Sequence, residues 1–389
     1  MSVNDSEHRG LLPAGLADLL PPDAALEARA MELVLGRFTA FGYERVKPPL
    51  VEFEESLLAG PGAALASQTF RLMDPVSQRM MGVRPDMTVQ VSRIAATRLK
   101  DAPRPLRLSY AGNVIRIKGT QLRPERQFSQ VGAELIGVDT AEADAEAVLL
   151  SADAVKAAGV QGLSVDLNLP TLVAAVCTGL DLPESLVRRL RRALDRKDET
   201  GVVQALAGDH QRHAALFVGL LRSAGRADAA IAALQALSLP AAARAEADRL
   251  AAALALVAAG DPSLRLTVDA VEYRGLEYQT GVSFSLFATS TRGELARGGR
   301  YIAGYVEDAN TEPATGLTIY LDALMAAARI ELSGRKIYVP ASVGWSACAD
   351  LHREGWITVR EIDGAVDARA EAKRFGCSHF LIDGKAVEV

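Results

Sequence analysis

The sequence predicts an α+β fold: an antiparallel sheet flanked by helices, interrupted by a helical insertion and followed by a small α/β unit. Two alternating apolar stretches, Leu106–Tyr110 and Phe128–Leu135, enclose a turn-rich segment, the pattern of a two-stranded hairpin. Residues 180–260 turn Ala-, Leu- and Arg-rich with almost no strand signal. The end of the chain alternates short apolar runs with helical ones.

Taken in order, Pro21-Pro22-Asp23 gives a helix start. Leu26, Met31, Leu33, Val34 and Phe38 supply its apolar face up to Phe41-Gly42. Tyr43 to Val51 is extended, because Pro48-Pro49 cannot continue a helix. The hairpin follows, with Gly119 to Glu125 as its tip, and Ala141 to Ala158 is an amphipathic helix. The segment rich in Ala and Leu is broken by Gly208, Gly219, Gly225 and Pro240 into an all-helical insertion. Strand signals resume at Leu264–Tyr273 and Val282–Phe287, then comes a turn and the Gly298-Gly299 step. A helix is expected from Gly316 to Ile330. Residues 335–389 form a β-α-β-α-β unit, with strands at Ile337–Val339, Ile357–Val359 and Phe380–Ile382 and helices at Cys348–Glu354 and Asp367–Phe375. The expected domains are 1–180 with 261–332, the insertion 181–260, and 333–389.

Composition excludes several classes. With 389 residues, 49% apolar and 23% charged, the chain is an ordinary globular protein. A net charge of −5 does not recruit a polyanion. The terminal unit holds eight Lys/Arg against eight Asp/Glu, so it carries no basic stripe for nucleic acid. Cys177, Cys348 and Cys377 match neither a disulfide framework nor a zinc spacing. The polar start, MSVNDSEHRG, has no apolar secretion core, and the apolar stretches are broken by charges. The expectation is a cytoplasmic protein without a membrane span, metal or cofactor.

Four short strings could carry chemistry. In Arg84-Pro85-Asp86-Met87-Thr88, an acid and a hydroxyl suit a ligand ammonium, and equally suit the capping of a helix running to Leu99. Gln130, Gly132 and Glu134 share strand parity, with Gly132 leaving room between two polar side chains and Arg116 facing them. That is a pocket for a small zwitterion, or a solvated face with a cross-strand ion pair. Arg274-Gly275-Leu276-Glu277-Tyr278 suits a carboxylate or phosphate, or is a surface turn. Gly298-Gly299-Arg300-Tyr301 lacks the spacing of a dinucleotide fingerprint. His210 and His213 read as a surface pair, and there is no nucleophile elbow or P-loop.

Together and in this order, the strings resemble the catalytic domain of class II histidyl-tRNA synthetases over most of the chain. GYERVKPPLVEFEE is similar to the dimer-interface motif, with Pro49 at its proline. The hairpin from Gly112 resembles the second class motif, with Arg116 at the ATP-phosphate arginine. YRGLEYQTGVSF resembles the histidine-specific loop, with Arg274 at the catalytic arginine and Tyr278 at the first tyrosine, and GGRY carries Tyr301 at a pocket-lining tyrosine. Two departures concern ATP and a third the tyrosine that would contact the imidazole. Lys118 replaces the hairpin glutamate, Ala323 stands where the third motif (ATGLTIYLDALM) has an arginine, and Gln279 replaces the second tyrosine.

Losing that electrostatic clamp removes what adenylate formation depends on. The amino-acid pocket matches better, at Asp86, Thr88, Gln130, Glu134, Arg274 and Tyr301. This pattern resembles the regulatory subunits of ATP phosphoribosyltransferase, paralogues of the synthetase. The resemblance implies no catalytic residues and a hetero-octamer with the short-form catalytic subunit, which the chain activates in the first step of histidine biosynthesis. It implies a self-dimer through the synthetase-like interface, no use of tRNA, and feedback inhibition by histidine. Asp86, Thr88 and Gln130 would hold the ligand ammonium, Glu134 would read the imidazole, and Arg274 or Arg116 would meet the carboxylate, with Tyr278 and Tyr301 lining the pocket. The terminal unit resembles a shortened anticodon-binding domain. The rival readings are an active histidyl-tRNA synthetase, which would exchange pyrophosphate with ATP, and a synthetase-like module that regulates another partner.

Overall fold

A computed structural model describes residues 11–119, 124–273, 278–305, 310–332, 334–362, 364 and 367–389. Contacts divide the chain into two compact units, Met1–Ile330 and Glu331–Val389.

The first unit opens with helix α1 (Asp23–Ala40), followed by strands β1 (Glu44–Arg45) and β2 (Val51–Phe53), a short helix α2 (Glu54–Leu57), and strands β3 (Phe70–Met73) and β4 (Met80–Val83). Strands β2, β4 and β3 make a small antiparallel sheet. Helix α3 (Thr88–Thr97) leads into the hairpin of β5 (Leu106–Ile115) and β6 (Gln127–Ile136). Helix α4 (Ala141–Ala157) is capped by the Thr140 hydroxyl, which accepts from the Ala143 amide. Its sequence reads as half-polar, yet ten of its residues are buried, because the large sheet lies on one side and the insertion on the other.

Strand β7 (Leu163–Asn168) and helix α5 (Leu172–Gly179) precede the insertion. The insertion comprises α6 (Glu184–Asp195), α7 (Glu199–Ala205), α8 (Ala214–Arg222), the two-residue strand β8 (Gly225–Arg226), α9 (Ala227–Ala236) and α10 (Ala241–Gly260). Strands β9 (Arg265–Asp269), β10 (Ser283–Ala288), β11 (Ala296–Tyr305) and β12 (Asn310–Tyr320), then helix α11 (Leu321–Ala327), complete the unit.

Among the described residues, nine strands form one sheet in the order β1-β5-β6-β12-β11-β10-β7-β9-β8. It is antiparallel through its middle, with parallel pairs at β1–β5 and β7–β9. One apolar core lies between its back face and helices α1, α4, α5 and α10, and runs on into the insertion. A second core lies on the front face, where Met87, Val91 and Ala95 of the α3 region cover Leu106, Leu108 and Tyr110.

One expectation fails here. The helix expected from Gly316 begins only at Leu321, and Gly316–Tyr320 is the last part of β12, paired with β6 throughout and with β11 up to Ile319. The Gly298-Gly299 step lies inside β11, opposite Leu317 and Gly316. In both places small residues let neighbouring side chains lie across the strand: a Cβ at Gly298 would come 2.5 Å from the Phe284 ring. The sequence reading also missed β7, whose Val165 and Leu167 are fully buried while Asp166 is not.

The second unit has parallel strands β13 (Arg335–Val339), β14 (Trp356–Arg360) and β15 (His379–Ile382), with helices α12 (Trp345–Arg353) and α13 (Ala368–Arg374). A further strand, β16 (Lys385–Glu388), pairs antiparallel with β15. Asp367 caps α13 by accepting from the Arg369 and Ala370 amides. Among the described residues, no helix is long and apolar enough to cross a membrane, and no cluster of His, Cys, Asp or Glu could hold a metal.

Candidate functional site

Residues directly opposite each other on antiparallel strands point to one face. The registers therefore put Gln130, Gly132 and Glu134 of β6 on the front face with Tyr110, Thr318, Gly316, Gly299 and Arg297. The side chains of that face meet in one hydrogen-bonded cluster. Tyr301 and Tyr110 donate to the two oxygens of Glu134, each at 3.0 Å. The Thr88 hydroxyl lies 3.0 Å from the Tyr110 hydroxyl. Gln130 donates to Asp86 Oδ2 and Thr318 Oγ1, both at 3.1 Å, and its carbonyl accepts from the Met87 amide at 3.0 Å. Asp86 also accepts from the Thr88 amide at 2.8 Å. The Asp86–Thr88 string thus leads into α3 and also joins the cluster.

The electrostatics are those of a carboxyl held out of water. Burial, with a smaller push from Asp86, raises Glu134 to about 8 against the hydrogen bonds of Tyr301 and Tyr110. Burial likewise raises Tyr110 and Tyr301 well above the ordinary phenol range, with Glu134 adding to it. Tyr278 is also raised, by burial first and then by Asp86. As a residue Tyr278 is 43% exposed, so the burial belongs to its hydroxyl end. A cavity of about 20 Å³ remains between Thr88, Glu134, Tyr278, Arg297, Tyr301 and Thr318. It holds one water-sized group, so an amino acid enters only if these side chains move apart.

Of the expected site residues, Asp86, Thr88, Gln130, Glu134, Tyr278 and Tyr301 come together. Arg274 lies outside the described residues. Arg116 is not directly opposite Gln130 and Glu134: these pair with Gly112 and Leu108, while the Arg116 amide donates to the Arg126 carbonyl at 2.7 Å, further toward the hairpin tip. Its guanidinium stacks 5.1 Å over the Phe128 ring and donates to the Pro85 carbonyl at 3.3 Å. The room above Gly132 is also taken, since a Cβ there would overlap the Tyr110 hydroxyl. Tyr110, Thr318 and Arg297 were missed. Tyr110 could have been found from strand parity, because it falls opposite Gly132 once the hairpin register is set. Thr318 was hidden by the mistaken helix.

A concavity of about 1210 Å³ lies elsewhere, beside the residues that flank the hairpin tip. Among the described residues, Asp18, Glu27, Glu125 and Asp322 line it together with Lys118 and Arg126. Four carboxylates against two cations disfavour a polyphosphate. Nearby, Ala323 packs against the apolar core.

Comparison with known proteins agrees with this geometry. The histidyl-tRNA synthetase family matches residues 15–324. An ATP phosphoribosyltransferase regulatory subunit of Rhodospirillum centenum is 53% identical, over 99% of this chain and 97% of that protein. One from Paramagnetospirillum magneticum is 52% identical over 100% of both. The crystal structure of an ATP phosphoribosyltransferase regulatory subunit/histidyl-tRNA synthetase from Bacillus halodurans superposes with a TM-score of 0.79 at 25% identity, covering 94% of this chain and 96% of that one.

Proposed function

Because the chain belongs to the histidyl-tRNA synthetase family and, within it, to the ATP phosphoribosyltransferase regulatory subunits, we propose that it controls a short-form ATP phosphoribosyltransferase and catalyses nothing itself. It activates that cytoplasmic enzyme in the first step of histidine biosynthesis and takes part in its feedback inhibition by histidine. The observation that carries this reading is the asymmetry of the site. A closed amino-acid cluster is kept around Glu134, while the hairpin end carries Lys118 among carboxylates and α11 has Ala323 in an apolar core.

In this reading Asp86, Thr88 and Gln130 meet the ligand ammonium, Glu134 meets the imidazole, and Tyr278 and Tyr301 close the pocket. Arg274, or Arg116 beside the Pro85 carbonyl, takes the carboxylate. The exposed apolar residues Leu50, Leu72, Met73, Val76 and Met80 on and around the small sheet suit the self-dimer, since contiguous apolar surface marks an interaction site. The dimer joins the catalytic subunit in a hetero-octamer, and tRNA is not a ligand. A histidine effect requires only that the ligand binds two states of the assembly unequally.

The test is reconstitution with a short-form phosphoribosyltransferase. Its rate should rise several-fold with this chain and fall again with histidine. An unchanged rate, or histidine-dependent ATP–pyrophosphate exchange by the chain alone, would overturn the reading.

A further inference from the structure

The two tyrosines that close the pocket share an anchor on the back of the sheet. Tyr301 is buried in the front core, and a close-packed interior leaves its ring no room to swing aside. Freeing its hydroxyl from Glu134 therefore shifts the strand that carries it. The preceding residue of β11, Arg300, points to the opposite face. Its backbone also holds the segment that follows Tyr278: the Thr280 amide donates to the Arg300 carbonyl at 2.8 Å, and the Arg300 amide donates to the Val282 carbonyl at 2.9 Å. Movement of either tyrosine pulls on Arg300.

The Arg300 side chain leads from there to the insertion. It donates to Asp144 Oδ2 at 2.6 Å and to the Thr140 carbonyl at 2.8 Å, both at the start of α4, and pairs with Asp139. The same Asp139 oxygen, Oδ1, accepts from Arg249 of α10 at 2.6 Å. The links are unequal in strength. The side chains of Arg300 and Asp144 are 4% and 2% exposed, those of Arg249 and Asp139 39% and 49%. The buried pair has no water to replace a lost partner, whereas Asp139 and Arg249 exchange each other for solvent at small cost. A shift of β11 thus carries Arg300 and Asp144 together and opens this chain of charges at its exposed end.

We infer that Asp139, shared by Arg300 and Arg249, is a latch that ties the helical insertion to the closed pocket, so that ligand entry releases α10 and the insertion reports whether the pocket is occupied. This rests on the reading that the pocket takes histidine, and it names the element that signals occupancy. The closed state is the latched one, because the cavity of about 20 Å³ holds only one water-sized group. The ligand therefore binds the unlatched state. Each event favours the other: opening the pocket weakens the hold on α10, and weakening that hold makes opening easier.

The experiment measures hydrogen exchange along α10, and histidine affinity by calorimetry, on the full chain. It compares the wild type with Arg249→Met, and with Arg188→Met as a control that breaks an exposed ion pair elsewhere in the insertion, to Glu184. Saturating L-histidine should speed exchange around Arg249 in the wild type by about twofold to fivefold, the worth of one partly exposed ion pair. Arg249→Met should show that faster exchange without ligand and no further change with it. It should also bind histidine about twofold to fivefold more tightly, which mere loss of packing would not do. Arg188→Met should match the wild type in its affinity and in α10. Exchange in α10 that histidine leaves unchanged or slows, or Arg249→Met affinity equal to or below that of the wild type, overturns the latch and leaves the pocket standing. Tighter binding by Arg188→Met as well would mean general loosening of the insertion and also overturns it. A wild type that binds no histidine overturns both readings.

Discussion

At the scale of single residues, the buried Glu134 carboxyl makes the clearest prediction. Its ordinary value is 4.5 and burial raises it to about 8 in the folded chain. Between those values the folded state holds a proton that the unfolded state has released, so stability falls as pH rises through that window. Glu134→Gln has no such proton. Its unliganded melting temperature should decline less than that of the wild type between pH 5 and pH 8, and equal declines would contradict the assignment. Glu134 and Gln130 were legible in the sequence because strand parity is strictly two, so the spacing alone sets them on one face. Tyr110 follows from the same parity only after the hairpin register is set, and Thr318 was hidden because its segment reads as helix. Arg116 was misjudged for the same reason: the cross-strand register, which sets it opposite Arg126, decides what it faces.

At the scale of elements, β11 is held from both faces. On the front Tyr301 donates to Glu134. On the back Arg300, 3% exposed, donates to the Thr140 carbonyl at 2.8 Å and to Asp144 at 2.6 Å. Asp139 pairs with Arg300 and, at 2.6 Å, with Arg249 of the insertion. Burial lowers Arg300 to about 10, so it remains a cation at neutral pH. Removing one partner of a buried pair strands the other, at a cost of about 3–5 kcal/mol. Arg300→Met should lose that much stability in urea unfolding, and Arg300→Met with Asp144→Asn should lose clearly less. Additive losses would mean that the pair is not coupled. The helices were legible from period and caps. The strand at Gly316–Tyr320 was not, because it runs without a turn signal into the Ala- and Leu-rich α11, and local composition hid the change of period.

At the scale of the whole molecule, assembly is the property to measure. Met73 and Val76 are 58% and 90% exposed at the end of the β3–β4 hairpin. If this face makes the self-dimer, Met73→Glu should shift the chain to a monomer by light scattering while its circular dichroism stays unchanged. A dimer that survives the charge places the interface elsewhere. With the catalytic subunit added, the wild-type mass should reach that of a hetero-octamer.

The order of strands in the large sheet has a consequence for how the chain is made. Strands β6 and β7 gain their central neighbours only from β12 and β10, more than a hundred residues downstream of each. At about 5–20 residues per second, a nascent chain exposes both unpaired edges for on the order of ten seconds. Ribosome-bound chains that stop at residue 280 should therefore be cut by protease between residues 106 and 168 far faster than finished ones, and equal protection would mean that the early strands find a temporary cover.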